Sequence, residues 1–257
     1  MLWFLPRPLL ATRSETPGSS GRQTSGRIRR SALVGQAPPT SPGLFQIGHY
    51  VAMPEIEASW RRFTGWLARE APASHDCLNP AASLEDIEAA ETANRSSFPA
   101  ELRSLLRLNN GATQFLRGEF RLAAGFLPGG HRLLSAREVV EHRKMLDDIL
   151  RGMDQDMVGW WWHPDWIPFA AHVAADALVI DLRHDPQQGA VGEFMHEGNT
   201  NFDWGPSLTA VIDDIARSVE TGTPFRYFTP RVVDGRLDWN IIVEPQYESG
   251  PTPDRRP

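Results

Sequence analysis

Two extended runs joined by a short polar turn limit this chain more than any other feature. Ala177-Leu178-Val179-Ile180-Asp181-Leu182 is apolar and rich in β-branched residues, and Ala190–His196 is a second extended run. Between them, Arg183 to Gly189 carries Asp185-Pro186 at its start, a turn signal. A link this short joins antiparallel strands; a parallel pair needs a crossover of a dozen or more residues. A doubly wound parallel sheet is therefore excluded for this region. Ile167–Val173 reads as the preceding strand. Asp234-Gly235 between Arg231–Val233 and Leu237–Val243 predicts a second hairpin.

Helical stripes flank these strands. Over 54–71, Ile56, Trp60, Phe63 and Leu67 recur at spacings of 4, 3 and 4, and Pro72 opens a loop reaching Pro80. Ser83 caps a helix that runs to about Asn94 on Leu84, Ile87 and Ala90, with Glu85 and Asp86 in its first turn. Pro99 starts the next, whose buried face is Leu102, Leu105, Leu106 and Leu108; Asn109-Asn110-Gly111 stops it. Gln114–Leu116, Phe120–Ala123 and His131–Leu134 read as short extended pieces. Ser135 and Glu138 form a capping box for a helix to about Leu150. Ser207 opens the last long helix, with Leu208, Val211, Ile212, Ile215 and Val219 inward and Gly222 at its end. Helices, then strands, then a helix predict an α+β fold: an antiparallel sheet packed with N-terminal and C-terminal helices.

Charge divides the chain in two. Residues 1–52 hold six arginines and one acid, Glu15, for +5; the other 205 residues hold 20 basic and 31 acidic groups, for -11. The leader is rich in Pro, Gly and Ser and has no sustained period, so it is expected to be disordered. Met53-Pro54-Glu55-Ile56 reads like a protein start, which makes 1–52 an expected upstream extension. The Pro-rich tail from 248 to 257 is also expected to be disordered. A body at -11 disfavours nucleic acid as a partner. No run of 18 apolar residues is present, so no helical membrane span is expected. The reading places the protein in the cytoplasm.

Signals for catalysis are sparse. There is no phosphate loop, nucleophile elbow or His-Glu-x-x-His motif. Cys77, the one cysteine, lies beside His75 and Asp76 in a loop, and neighbours in sequence rarely aim at one another. His163, His184 and His196 each stand next to or near an acid. His172, Asp181 and His196 could line adjacent strands. Scattered strand and turn histidines usually stay solvated, so neither a metal nor a cofactor is expected, and no catalytic residue is assigned.

The densest anomaly is Trp160-Trp161-Trp162-His163-Pro164-Asp165-Trp166. Two or three of these indoles could fold back on the core. Alternatively they form an exposed anchor for a partner, since tryptophan is enriched in binding hot spots. Asp147, Asp148, Asp154, Asp156 and Asp165 surround them. Acids beside aromatics suit recognition of a basic protein. Asp147, Asp148, Asp154, Asp156, Trp160, Trp161 and Asp165 are the candidate contact residues.

The order of motifs resembles the Smi/Knr-like family (Smi-one/Knr-four) of the SUKH superfamily, over about residues 83–220. Leu84 to Glu91, including Glu88, is similar to the family's first helix. Phe98-Pro99-Ala100-Glu101-Leu102 leading to Leu108-Asn109-Asn110-Gly111 resembles its Leu-Pro…Asn-Gly signature. Phe126 to Ser135 is similar to the segment that enters the next helix. Trp166-Ile167-Pro168 resembles its Trp-x-Pro strand, and Asp176 to Leu182, ending in Asp181-Leu182, its Asp-Leu strand. Ala190-Val191-Gly192 and Ser207-Leu208 continue the series. Two departures stand out: Asn94-Arg95-Ser96-Ser97 and Ala174-Ala175 occupy places where the family often has glycine. Glu88, Pro99, Leu102, Asn109, Gly111, Trp166, Pro168, Asp176 and Asp181 are thereby expected to be structural.

The resemblance implies a SUKH fold over 53–222, followed by a hairpin extension at 223–247. It implies a protein partner and no known catalytic residues. Bacterial relatives are often immunity proteins that neutralise a cognate toxin, commonly a nuclease or deaminase. Fungal relatives regulate cell-wall synthesis, which makes a regulatory scaffold the alternative. An enzyme using His196 and Asp181 is the third reading. Oligomeric state is left open.

Overall fold

The computed structural model describes residues 55–94 and 96–242. The leader at 1–52, the tail at 248–257, Arg95 and the end of the second hairpin at Val243 lie outside the described residues. The first apolar stripe forms α1, Ile56–Glu70, which buries Ile56, Trp60, Phe63 and Leu67 as the spacing predicts. Pro72 then starts a short helix, α2, Pro72–His75, inside the expected loop. Proline fits a first helical position because its missing N–H would have no intrahelical partner. Helix α3, Leu84–Asn94, begins where the Ser83 hydroxyl accepts from the Asp86 N–H at 3.0 Å. Helix α4, Ala100–Leu108, buries Leu102, Leu105 and Leu106 and leaves Leu108 half-buried at the core margin.

Strands β1, Phe115–Leu116, and β2, Glu119–Phe120, make a small hairpin. The expected strand Phe120–Ala123 is corrected here: Leu122–Ala124 is a 3-10 turn. The Ala124 and Gly125 N–H groups bond back to the Arg121 and Leu122 carbonyls at 3.1 Å, so the backbone pairs locally rather than across strands. Next come β3, Arg132–Leu133, and α5, Ala136–Leu150, whose Ser135–Glu138 capping box is present in full.

The main sheet adds β4, Trp166–Ala171, β5, Ala177–Asp181, β6, Val191–Phe194, and β7, Asn201–Gly205. It is an antiparallel meander in the order β3-β4-β5-β6-β7. Ile167, Phe169, Leu178, Ile180, Val191 and Trp204 meet the helices in the main core. Trp166, Ala177, Val179 and Phe194 hold a smaller core on the other face with Leu146, Leu150, Trp161 and Trp162. Strand alternation makes that division. β5 is buried at all five positions, which is why Ala177 to Ile180 are all apolar and why its one charged residue, Asp181, is paired with Arg183. Gly192 lies where β6 and β7 approach: a Cβ there would stand 2.0 Å from the Asn201 carbonyl oxygen.

The last long helix, α6, Leu208–Thr221, buries all five residues expected of it. Ser207 caps it, and the Glu101 carboxylate of α4 accepts from the Leu208 and Thr209 N–H groups at 3.2 and 3.3 Å. An anion at this helix start is stabilising. Strands β8, Phe228–Val233, and β9, Arg236–Ile241, form the second hairpin around Asp234-Gly235, as expected. It joins the main core through Phe228, Leu237 and Trp239, whose indole N–H donates to the Phe126 carbonyl at 2.8 Å.

Candidate partner-binding face

The acidic, tryptophan-rich loop between α5 and β4 is fixed by three of its four indoles. Trp162 donates its N–H to Asp147 Oδ1 at 2.7 Å and packs edge-on against Trp166 and Phe194. Trp161 donates to the His196 carbonyl at 2.9 Å, with its ring 5.1 Å from Phe194. Trp166 is buried at the start of β4. Trp161 was expected at a partner surface; that is corrected, because its ring is part of the smaller core. Asp147 is also turned inward, holding the Trp162 indole with Arg143 3.8 Å away.

The surface that remains is narrower than the sequence suggested. Trp160 is 54% exposed. Asp154 precedes a 3-10 turn, Gln155–Met157, and Asp156 lies within it; both are exposed, without a side-chain hydrogen bond or ion pair among the described residues. Asp148 pairs with Arg151, and Asp165 lies 3.8 Å from His163 Nδ1. Met153, Val158 and Met195 are exposed apolar side chains of the same region. Rigid anchoring beneath an exposed aromatic with free carboxylates lowers the ordering cost of binding.

Beside this surface lies a groove of about 800 Å³ between the loop after α3 and α5. Phe98, Pro99, Ile167 and Leu182 contribute apolar lining, and Arg143, Lys144, Asp147, Asp148 and Asp165 charged lining. Arg143 braces it. Its guanidinium donates to Asn94 Oδ1 at 2.8 Å and to the Pro164 carbonyl, tying α3, α5 and the loop before β4 together. The bracing role of Arg143 was not legible in the sequence, since Asn94 and the Pro164 carbonyl, which it joins, are distant along the chain.

Most of the motif residues are buried or hydrogen-bonded within the fold. Asn109 accepts from the Trp60 indole and donates to the Asn79 carbonyl, both at 2.8 Å. Asn110 Oδ1 accepts from the Ala136 N–H at 2.8 Å. Gly111 has φ 80, and a Cβ there would lie 2.4 Å from the Ser135 nitrogen. Pro99 precedes α4, Leu102 is fully buried, and Pro168 is buried next to the β4 bulge. Asp176 Oδ1 accepts from the His196 N–H at 2.8 Å. Glu88 is exposed; Glu91, one turn closer to the motif, instead accepts from the Phe98 N–H at 2.7 Å.

Asp181 and His196 do not meet. The β5–β6 register pairs Ile180 with Val191 and Ala177 with Phe194, which puts them at opposite ends of the hairpin. Asp181 is fully buried and bound by the Arg183 guanidinium at 2.6–3.1 Å. His172, Asp181 and His196, which could line adjacent strands, stand at or just past the ends of β4, β5 and β6, and Asp181 and His196 are at opposite ends of their hairpin. Among the described residues, no group of three His, Cys, Asp or Glu side chains stands ready for a metal ion. Burial pushes His131 and His142 down to about 4. His131 Nδ1 faces the Pro128 carbonyl at 2.8 Å, and Glu193, 3.8 Å from Nε2, is pushed up by burial.

A family model described as SMI1 / KNR4 family (SUKH-1) matches residues 81–214. No curated protein matches the chain. The matched span starts in the loop before α3 and ends within α6, so it covers the motif residues and the tryptophan loop together.

Proposed function

The chain belongs to the SMI1/KNR4 family, SUKH-1, and from that we propose that it is a non-enzymatic protein-binding module that occludes a basic surface of its partner. The carrying observation is the pair Asp154 and Asp156 beside exposed Trp160, on a loop held down by Trp161, Trp162 and Trp166. The carboxylates steer a basic partner, because complementary fields raise encounter rates. Trp160 and its apolar neighbours supply the short-range contact area, and Asp148 and Asp165 form the rim. Our reading of the partner is a cognate toxin such as a nuclease, as for the bacterial immunity proteins that the chain resembles, met in the cytoplasm.

A photo-crosslinking residue at position 160 tests this reading. In native cells it should join the chain to one basic protein, and the same residue at Lys144 should not. Crosslinking that is equal at both positions, or to no basic protein, would reject the face.

A further inference from the structure

The β1–β2 hairpin holds apolar surface that the fold does not bury. Phe115, Leu116, Phe120 and Leu122 are 61%, 52%, 45% and 67% exposed, four large apolar side chains within eight consecutive residues. Single exposed hydrophobics are ordinary, whereas a contiguous patch marks a contact surface. The ribbon is ordered by its own cross-strand pair: Phe115 and Phe120 are opposite in register, with rings 5.5 Å apart, edge to face.

The charges beside the patch select the occupant. At the tip, Arg117 has φ 52 and Gly118 has φ 86. A two-residue turn of this kind favours Asn or Gly in both places, so an arginine here is held against its backbone preference. Arg121 is fixed at the base, donating to the Asp76 carbonyl at 3.1 Å. Glu119 is the one acid within the hairpin. On a body at -11, two arginines and a single acid are interleaved with these four exposed apolar side chains. Aromatic and arginine side chains together are the composition of a binding hot spot.

We propose that the hairpin Phe115–Leu122 is a docking element for a protein that presents an apolar cleft edged with carboxylates. It shares no residue with the acidic face around Trp160 and has the opposite charge preference. The two surfaces therefore serve different partner chemistries, or different patches of one partner.

Two synthetic amphipathic peptides with the same Leu and Phe positions test this, one with Glu and one with Lys at every polar position. Each is added to the full chain while hydrogen exchange is followed over residues 113–122. The Glu peptide should slow exchange in the hairpin and bind about tenfold tighter than the Lys peptide. Phe115→Ser with Leu122→Ser should lose that binding, and Arg117→Glu should reverse the preference, both with unchanged circular dichroism. Equal binding of both peptides, or no slowing by either, would overturn the proposal. So would slowing driven by chain concentration alone, which assigns the patch to a second copy, or slowing by anionic vesicles alone, which assigns it to a lipid surface.

Discussion

Trp162 donates its indole N–H to Asp147 across 2.7 Å, joining the loop before β4 to the last turns of α5. This one bond changes the meaning of Asp147, which the sequence placed at the surface. An acid expected to meet a partner holds an indole in the smaller core instead. Replacing Asp147 with Ala leaves that buried N–H unpaired. We expect a loss of about 1–3 kcal/mol by urea denaturation. No change in midpoint would mean that the bond is not formed in solution.

The indoles should separate cleanly. Trp162→Ala removes a fully buried ring and should lower stability by about 3–5 kcal/mol. Trp160→Ala should leave stability within about 0.5 kcal/mol. Similar losses at the two positions would contradict the assignment of Trp160 to the surface.

Ala175 adopts φ 73 in the turn between β4 and β5. A left-handed conformation costs an L-residue about 1–2 kcal/mol, which glycine escapes at some cost in chain entropy. Ala175→Gly should therefore raise stability by up to about 1 kcal/mol. A lower unfolding midpoint for that variant would refute this account of the turn.

His131 and His142 are neutral in the fold, each pushed by burial down to about 4 from an ordinary 6.5. Their depressed values mean that stability is fully present above pH 6.5. It is lost as the unfolded chain takes up protons between pH 6.5 and about 4. Each contributes up to about 3 kcal/mol by linkage. Glu193, raised by burial, works in the opposite direction and offsets part of the loss. The urea midpoint should fall between pH 7 and pH 4.5, and less steeply in His131→Gln. A flat profile over that interval would show that these imidazoles are not buried.

Much of the fold was legible because the core follows simple periods. The α1 stripe, the Ser135 capping box, the five inward residues of α6 and the Asp234-Gly235 turn all express local rules. β7 escaped although Asn201-Phe202-Asp203-Trp204-Gly205 alternates polar and apolar residues: it is short, its pairing with β6 is irregular, and Phe202 and Trp204 pack against different cores. The candidate face was legible in part. Composition located the acidic tryptophan loop, but residues alone could not divide it. Trp160 and Trp161 are chemically identical, and only the packing of Phe194 and the His196 carbonyl distinguishes them. Glu101 and Arg143 were missed for a related reason: their partners are backbone groups at the start of α6 and before β4, far away in sequence.

The most direct test is the association rate of the partner crosslinked at position 160, measured against ionic strength for the native chain and for Asp154→Lys with Asp156→Lys. The native rate should fall steeply as salt rises, since exposed charges are screened. The doubly reversed chain should associate more slowly at low salt, with a shallower salt dependence. Equal rates and equal salt dependence in a folded double variant would contradict recognition through the acidic face.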